Sequence, residues 1–385
     1  METVTEQPNE WTRQISGQHP DGGYILAVVT KRTYLLRHGR AEIAEQQLPL
    51  TLEPAPDPEL PDVLAHDTDL FPCKPGTDVV VKGHAYGRGQ KQFLATAQIG
   101  AQQKQILVVG DRACGYGSGG RIRFGDPAPV DKVPLSYTHA YGGVDRVAAS
   151  RHGNVVEKIM EGTVTPGGAD LSLASPYVYP RNSCGRGYIV QENAEAVEAL
   201  QLPNLEDPDD ILSPTRLVVG DPFDWPRMPM PQATDWLCYG WFPRIAYFGM
   251  TPAFHNGATP VPEIARSLVA PDLMTDETPT TERALRMTMG ASLGLQMPHL
   301  GGGENLRLVR MHPADDIWAF ALPTERPRLW IDGREGKLVE TEPVIHTVMI
   351  EPDKNRLSIV WRGAGPARRP YMDEELEEMP FRVVW

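Results

Sequence analysis

Apolar and polar positions alternate over many short stretches of this chain, with the two-residue period of half-buried β-strands. Tyr24 to Leu36 is the strongest strand signal, because β-branched and aromatic residues fill it and a turn follows at His38-Gly39. A short buried strand is predicted at Val79–Val81. Two β-hairpins are also predicted: Phe93–Ile99 with Gln105–Val109, and Val344–Ile350 with Arg356–Trp361.

Helical periodicity is confined to two places. Glu192 to Leu200 repeats apolar residues on one face and predicts a short helix. A second helix is predicted to begin at Thr281, with Leu285, Met289 and Leu293 on one face. Strands are therefore expected to dominate the fold.

The 36 Gly and 37 Pro residues imply many short elements joined by turns. We predict a mainly β (β-rich α+β) fold, a large and mostly antiparallel sheet or sandwich with a few short helices and many Pro/Gly-rich loops. Residues 1–20 are predicted to be a flexible arm, and residues 366–385 an acidic extension that ends in a short strand. Residues 21–365 are predicted to form one β-rich domain. A division of this domain into two sub-lobes, at about 21–150 and 205–365 with an irregular segment between them, is left as an alternative.

The net charge of −13 bears on possible partners. A protein that mainly binds phosphate backbones needs a basic face, so nucleic acid is not an expected partner. No stretch approaches the roughly 20 apolar residues of a membrane span. The N-terminal sequence also lacks the basic and apolar regions of a secretion signal. We expect a cytoplasmic protein that does not insert into a membrane.

The glycine-rich segment Gly115-Tyr-Gly-Ser-Gly-Gly120 has the G-x-G-x-x-G spacing of dinucleotide sites. In those sites the last glycine opens a helix, which Arg121-Ile-Arg-Phe-Gly-Asp-Pro127 cannot form. Ser118 is not at a nucleophile elbow, because Tyr116 stands where that motif needs glycine. A loop is the favoured interpretation.

Metal and cofactor signals are equally weak. His66 with Asp67 and Asp69 could form a metal corner, but solvated loop residues are favoured because nothing in the sequence fixes their geometry. The four cysteines are scattered, which indicates neither zinc nor a disulfide framework. No cofactor, metal or catalytic residue is predicted.

An enzyme remains an alternative, as a hydrolase or transferase that uses Asp111, Arg112 and His139 in the glycine-rich region. His84 and His139 each lie near the end of a predicted strand. A histidine in such a place is more often a structural hydrogen-bonding group than a catalyst.

An aromatic and proline-rich band lies between residues 223 and 248. It is interpreted either as packing beneath an irregular loop or as a recognition surface, since aromatic side chains dominate interface energetics. A carbohydrate-binding or structural module that uses Trp236 and Trp241 is a further alternative. The candidate partner-binding residues are Trp225, Trp236, Tyr239, Trp241, Phe242, Tyr247 and Phe248.

Several phrases occur in a fixed order along the chain. They include Phe71-Pro-Cys-Lys-Pro-Gly-Thr-Asp78, Val109-Gly-Asp-Arg112, Ala140-Tyr-Gly-Gly143, Trp241-Phe-Pro-Arg244 and Leu357-Ser-Ile-Val-Trp-Arg362. Over roughly residues 23–362 this order resembles the adaptor family associated with type VI secretion, first catalogued as domain of unknown function 2169. The family-motif residues expected to be structural are Phe71, Lys74, Pro75, Thr77, Asp78, Gly83, His84, Gly110, Asp111, Arg112, Gly142, Gly143, Arg244, Trp361 and Arg362.

The resemblance implies a chaperone-like adaptor without catalytic residues. Its implied partners are a toxic effector and a protein of the secretion spike or spike tip, onto which the adaptor helps to load the effector. On this hypothesis the protein acts by presenting a β-rich surface to another polypeptide.

Overall fold

Strands dominate the computed structural model, which describes residues 3–19, 22–37, 39–60, 63–151, 177–238, 241, 244, 286, 288–334 and 336–385. In chain order the strands are β1 (Val4–Thr5), β2 (Thr12–Gln18), β3 (Tyr24–Arg37), β4 (Arg40–Ile43), β5 (Ala55–Pro56), β6 (Leu64–His66), β7 (Thr77–Val81), β8 (His84–Tyr86), β9 (Gln92–Ile99), β10 (Gln102–Val109), β11 (Cys114–Tyr116), β12 (Ile122–Phe124), β13 (Lys132–Pro134), β14 (Tyr141–Gly142), β15 (Arg186–Gly187), β16 (Leu205–Glu206), β17 (Gln296–Met297), β18 (Asn305–Val309), β19 (Ile317–Ala321), β20 (Arg328–Arg334), β21 (Lys337–Thr341), β22 (Val344–Glu351), β23 (Arg356–Ala367) and β24 (Arg382–Val384). The α-helices are α1 (Ala194–Glu198) and α2 (Asp373–Glu378), with a helical segment at 146–151, and 3-10 turns lie at Tyr137–His139, Pro214–Arg216, Pro222–Arg227 and Pro352–Lys354.

The largest sheet has the order β17-β7-β22-β23-β3-β2, and β4 also pairs with β3. All its pairs are antiparallel except β22 with β7. Its central strands are apolar on both faces, so that Ala27, Val28 and Val29 are buried in succession. Both faces of this sheet are therefore covered, and the predicted strands at Tyr24–Leu36 and Val79–Val81 are confirmed.

A second sheet has five strands in the order β16-β10-β9-β18-β19. The predicted hairpin between Phe93 and Val109 is confirmed, with Gly100 at φ 56 in the turn. Side chains of both sheets share one large apolar core, in which Ala95 and Ile106 of the second sheet belong with Val348 and Leu357 of the first. The mainly β, mostly antiparallel fold is thus confirmed.

The described residues 3–19 differ from the prediction of a flexible arm. Strand β2 pairs with β3 along its full length, and β1 pairs with β24. Strand β2 has one large apolar residue, Ile15, so the sequence carries no apolar alternation that would mark it. Gln14 is buried and its amide donates to the backbone oxygens of Leu376 and Met379, at 3.0 and 2.7 Å.

The C-terminal residues form the predicted short strand, β24, which joins β1 to β20 in a four-stranded sheet. The acidic run before it forms α2, a helix that the sequence pattern did not indicate. Acidic side chains fill its first turn, where their negative charges interact favourably with the positive end of the helix dipole and stabilise the helix.

The predicted helix at Glu192–Leu200 is confirmed in a shorter form as α1, where the Asn193 side chain accepts from the backbone N–H groups of Glu195 and Ala196. The predicted helix from Thr281 falls mostly outside the described residues. It does not include Met289 or Leu293, because residues 288–294 form turns and a bridge. Among the described helices, none is long and apolar enough to cross a membrane.

Candidate functional site

The phrase from Phe71 to Asp78 contains a buried ion pair. Lys74 Nζ lies 2.8 Å from Asp78 Oδ2, and both side chains are almost fully shielded from solvent. Asp78 also accepts from the backbone N–H groups of Gly290 and Ala291, each at 2.9 Å, and Lys74 contacts Thr347 Oγ1 at 3.3 Å. These contacts fix β7 against the 290–291 segment on one side and β22 on the other.

A second ion pair lies beside the first. Arg244 donates to the buried carboxylate of Asp67. The Phe71 ring lies near both cations, 5.0 Å from Lys74 Nζ and 5.9 Å from the Arg244 guanidinium. Thr77 Oγ1 donates to the backbone oxygen of Ile345 at 2.7 Å. The family-motif residues of this region therefore connect strands and loops.

The carboxylates of the metal corner considered from sequence are held by cations. Asp67 accepts from Arg244, and Asp69 pairs with Lys31 at 2.9 Å. Burial, followed by the charges of Lys82 and Lys31, lowers the pKa of His66 to about 4. Within the described ranges, no group of three or more His, Cys, Asp or Glu side chains is placed to hold a metal ion.

Two residues of the enzyme hypothesis, Asp111 and His139, lie in one hydrogen-bonded network. Arg186 donates to His139 Nε2 at 2.9 Å and to Asn204 Oδ1 at 3.0 Å, and Asn204 in turn donates to Asp111 Oδ1 at 2.9 Å. Asp111 thus meets His139 only through two intervening side chains. Arg112 points elsewhere, to Glu206 Oε1 at 2.5 Å.

The His139 ring has both nitrogens engaged. Nδ1 lies 2.9 Å from Thr138 Oγ1, and Nε2 accepts from Arg186. Burial, followed by the Arg186 charge, lowers the pKa of His139 to about 4. A histidine with this pKa is a weak base near neutral pH, and here its acceptor nitrogen already faces a cation.

His84 belongs to a different, half-exposed cluster. Its Nδ1 lies 2.6 Å from Asp353 Oδ2, while Tyr86 donates to Asp353 Oδ1 at 2.8 Å. Partial burial and the Asp353 carboxylate raise the pKa of Tyr86 to about 12. Gly83 leaves room for this carboxylate, because a Cβ there would lie 3.3 Å from it.

Two motif glycines are required by close backbone approach. Gly142 and Gly143 have φ values of 141 and 97. A Cβ on either would lie within 2.4 Å of a carbonyl oxygen, that of Asn182 or Gly185. Only glycine fits both requirements.

The aromatic band does not form a surface in the described residues, which corrects one of the two interpretations. Trp225, Trp236 and Trp241 are between 1% and 4% exposed and lie in the cores. They are therefore packing residues of the cores. This also removes the basis for a glycan site on Trp236 and Trp241. Tyr239, Phe242, Tyr247 and Phe248 lie outside the described residues.

A broad exposed surface occurs instead on the five-stranded sheet. We call the outward side of β9, β10, β18 and β19 the outer face. Its side chains, of which Thr96 alone is buried, are Leu94, Thr96, Gln98, Gln103, Gln105, Leu107, Asn305, Arg307, Val309, Ile317, Ala319 and Ala321. The strand register sets Leu94 opposite Leu107, and Val309 opposite both Thr96 and Ile317.

The outer face differs in charge from the rest of the molecule. Arg307 is its single charged residue, whereas 23% of the whole chain is charged. Leu94 and Ile317 are 43% and 53% exposed. Sequence reasoning predicted β9 and β10 but not β18 or β19, and it did not identify an outer side as a candidate surface, although the alternation at 93–99 and 305–309 contained that signal.

Comparison with known proteins identifies a family. The family model described as "Uncharacterized protein conserved in bacteria (DUF2169)" matches residues 21–362. No curated protein and no solved structure matches the chain. Since the match spans far more than half of the sequence, the protein belongs to the DUF2169 family of uncharacterized bacterial proteins.

Proposed function

We propose that this protein is a non-enzymatic adaptor of a bacterial type VI secretion system, which binds a toxic effector and helps to load it onto the spike or spike tip. The motif phrases that suggested this role lie within the range that matches the family model. Among the described residues, the charged motif side chains pair with other side chains or with the backbone of the same chain. Such an arrangement suits a scaffold for binding another polypeptide.

The observation that carries the proposal is the outer face. The centres of protein–protein interfaces are depleted in charged residues and contain large apolar side chains. The outer face has this composition on a chain of net charge −13, with Leu94 and Ile317 exposed at one end and neutral amides beside them. Burying it against a client would desolvate one charge, that of Arg307.

The flat side of the sheet is a better docking surface than its free edge. Strand β19 is the last strand of its sheet in the described structure, and edge strands can accept a strand from a partner. However, the turn between β3 and β4 approaches this edge, because a Cβ on Gly39 would lie 3.3 Å from the Ala319 carbonyl oxygen. We therefore place the client on the outer face.

Co-purification tests the proposal. The full chain carries an affinity tag and is expressed together with the effector or spike-tip protein encoded beside its gene. We expect the wild-type chain to retain one of these partners and Ile317→Asp to retain at least about tenfold less, since a carboxylate would have to be desolvated where an apolar side chain was buried before.

The matched control is Val339→Asp in β21. Val339 is 48% exposed, close to Ile317, but belongs to the four-stranded sheet. Retention by this variant should equal that of the wild type. Equal loss of partner retention in both variants would contradict the assignment of the client to the outer face. Failure of the wild-type chain to retain either soluble partner would argue against the adaptor role itself.

A further inference from the structure

A cavity of about 300 Å³ opens beside the phrase Phe71–Asp78. It is lined by His19, Ile25 of β3, Cys73, Lys74, and Arg362, Ala364 and Gly365 of β23. Arg362 and Ala364 are two residues apart on one strand and therefore lie on the same face of the sheet. The cavity thus combines cationic and small apolar walls.

The two cations of this cavity are not equivalent. The charge of Lys74 is balanced by Asp78 at 2.8 Å. Arg362 donates from Nη1 to the backbone oxygen of Pro72, and its buried Nε has no hydrogen-bond partner. Within the described chain, no carboxylate pairs with this guanidinium.

The histidine beside Arg362 supplies no compensating negative charge. The nearby His346 is fully buried, and neither of its ring nitrogens has a hydrogen-bond partner. Burial, and then the charges of Lys74, Arg362 and His299, hold the pKa of His346 well below its usual value. A largely buried guanidinium without a counter-charge is costly unless an anion completes the site.

We propose that this cavity binds a small organic anion. Its oxyanion group is held by the Arg362 guanidinium, whose planar donors match carboxylate and phosphate geometry. Its short apolar part lies against Ile25 and Ala364, where β3 and β23 offer no polar side chain. The site is separate from the outer face, so it can be occupied whether or not the protein acts as an adaptor.

The test is thermal unfolding and titration calorimetry of the full chain with butyrate, acetate and inorganic phosphate at constant ionic strength. We expect saturable binding of at least one anion, and tighter binding of butyrate than of acetate because of the apolar wall. A higher affinity for phosphate than for butyrate and acetate would identify phosphate rather than carboxylate as the preferred group. Arg362→Gln should weaken binding at least about tenfold, the effect of losing a charge-assisted contact.

Arg307→Gln is the matched control, because it removes an exposed arginine of the outer face and should leave anion binding unchanged. Ala364→Leu fills the cavity while retaining Arg362 and should also abolish binding, which keeps the test decisive if the Arg362 variant does not fold. Absence of saturable binding to all three anions, or equal binding by wild type and Ala364→Leu, would overturn the proposal.

Discussion

Lys104 brings an ammonium group into the core of the five-stranded sheet. It alternates in phase with Ile106 and Val108, so its side chain points inward with theirs. Its Nζ donates to Ser292 Oγ at 2.8 Å and to the Leu293 backbone oxygen at 2.5 Å. Burial lowers the pKa of Lys104 from 10.5 to about 7, and no buried carboxylate balances it within hydrogen-bond distance in the described structure.

This lysine makes stability depend on pH with a definite sign. Between about pH 7 and pH 10.5 the unfolded chain keeps the Lys104 proton while the folded chain releases it, so the unfolded state binds more protons and stability rises with pH. We expect the unfolding free energy of the wild type, relative to Lys104→Met, to rise by at most about 1 kcal/mol per pH unit over this window. Urea unfolding of both proteins at several pH values measures the difference. A difference that stays constant with pH would contradict the assignment.

At the scale of elements, the close approach of two backbone segments requires a glycine at the end of β10. Gly110 follows β10, and a Cβ there would lie 1.9 Å from the Ala128 carbonyl oxygen. Gly110 N–H also donates to the Lys91 backbone oxygen at 2.9 Å, so the segment cannot shift without loss of that bond. The glycine is needed for space, since its φ lies outside the left-handed region.

Gly110→Ala is therefore expected to destabilise the fold by about 1–3 kcal/mol, the range for overpacking a tight contact. Gly115→Ala is the matched control, because Gly115 lies in the same glycine-rich region and a Cβ there meets nothing within 4 Å. Urea unfolding measures both variants. Equal unfolding free energies for the two would contradict the steric argument.

Elements with apolar alternation could be predicted from the sequence, and those held by polar contacts could not. Strands β3, β9 and β23 can be recognised in the sequence by their β-branched and aromatic residues. Strand β2 does not, because Gln14 owes its place to hydrogen bonds with residues more than 360 positions away. Long-range partners of this kind leave no local pattern.

The candidate surfaces were less accessible to sequence reasoning for a similar reason. The aromatic band has the composition of a recognition surface, but composition does not reveal which side of an irregular segment meets solvent. The outer face depends on four strands whose registers bring Leu94 and Ile317 to one side. In the sequence, Arg362 is one more arginine at the end of a predicted strand. Only the fold shows that no carboxylate pairs with it in the described chain.

At the scale of the whole molecule, the two ends of the chain complete a core together. Phe381 and Val383 pack with Leu26 and Val28 of β3 in one apolar cluster. Strand β24 also joins β1 to β20. The last residues are therefore a structural part of the molecule, so the unit that folds extends beyond the range 21–362 that matches the family model.

Truncation after Met372 should consequently prevent stable folding, because it removes β24 and uncovers the apolar side of β3 that faces Phe381.

A milder change gives a measurable value: Phe381→Ala should lower the unfolding free energy by about 3–5 kcal/mol, the usual cost of deleting a buried aromatic ring. Met372→Ala is the control, since Met372 is 70% exposed. Replacing the exposed Glu374, Glu377 and Glu378 by Gln separates loss of packing from loss of acidic charge. Urea unfolding compares the variants, and a truncated chain as stable as the wild type would show that the core of β3 is complete without its C-terminal cover.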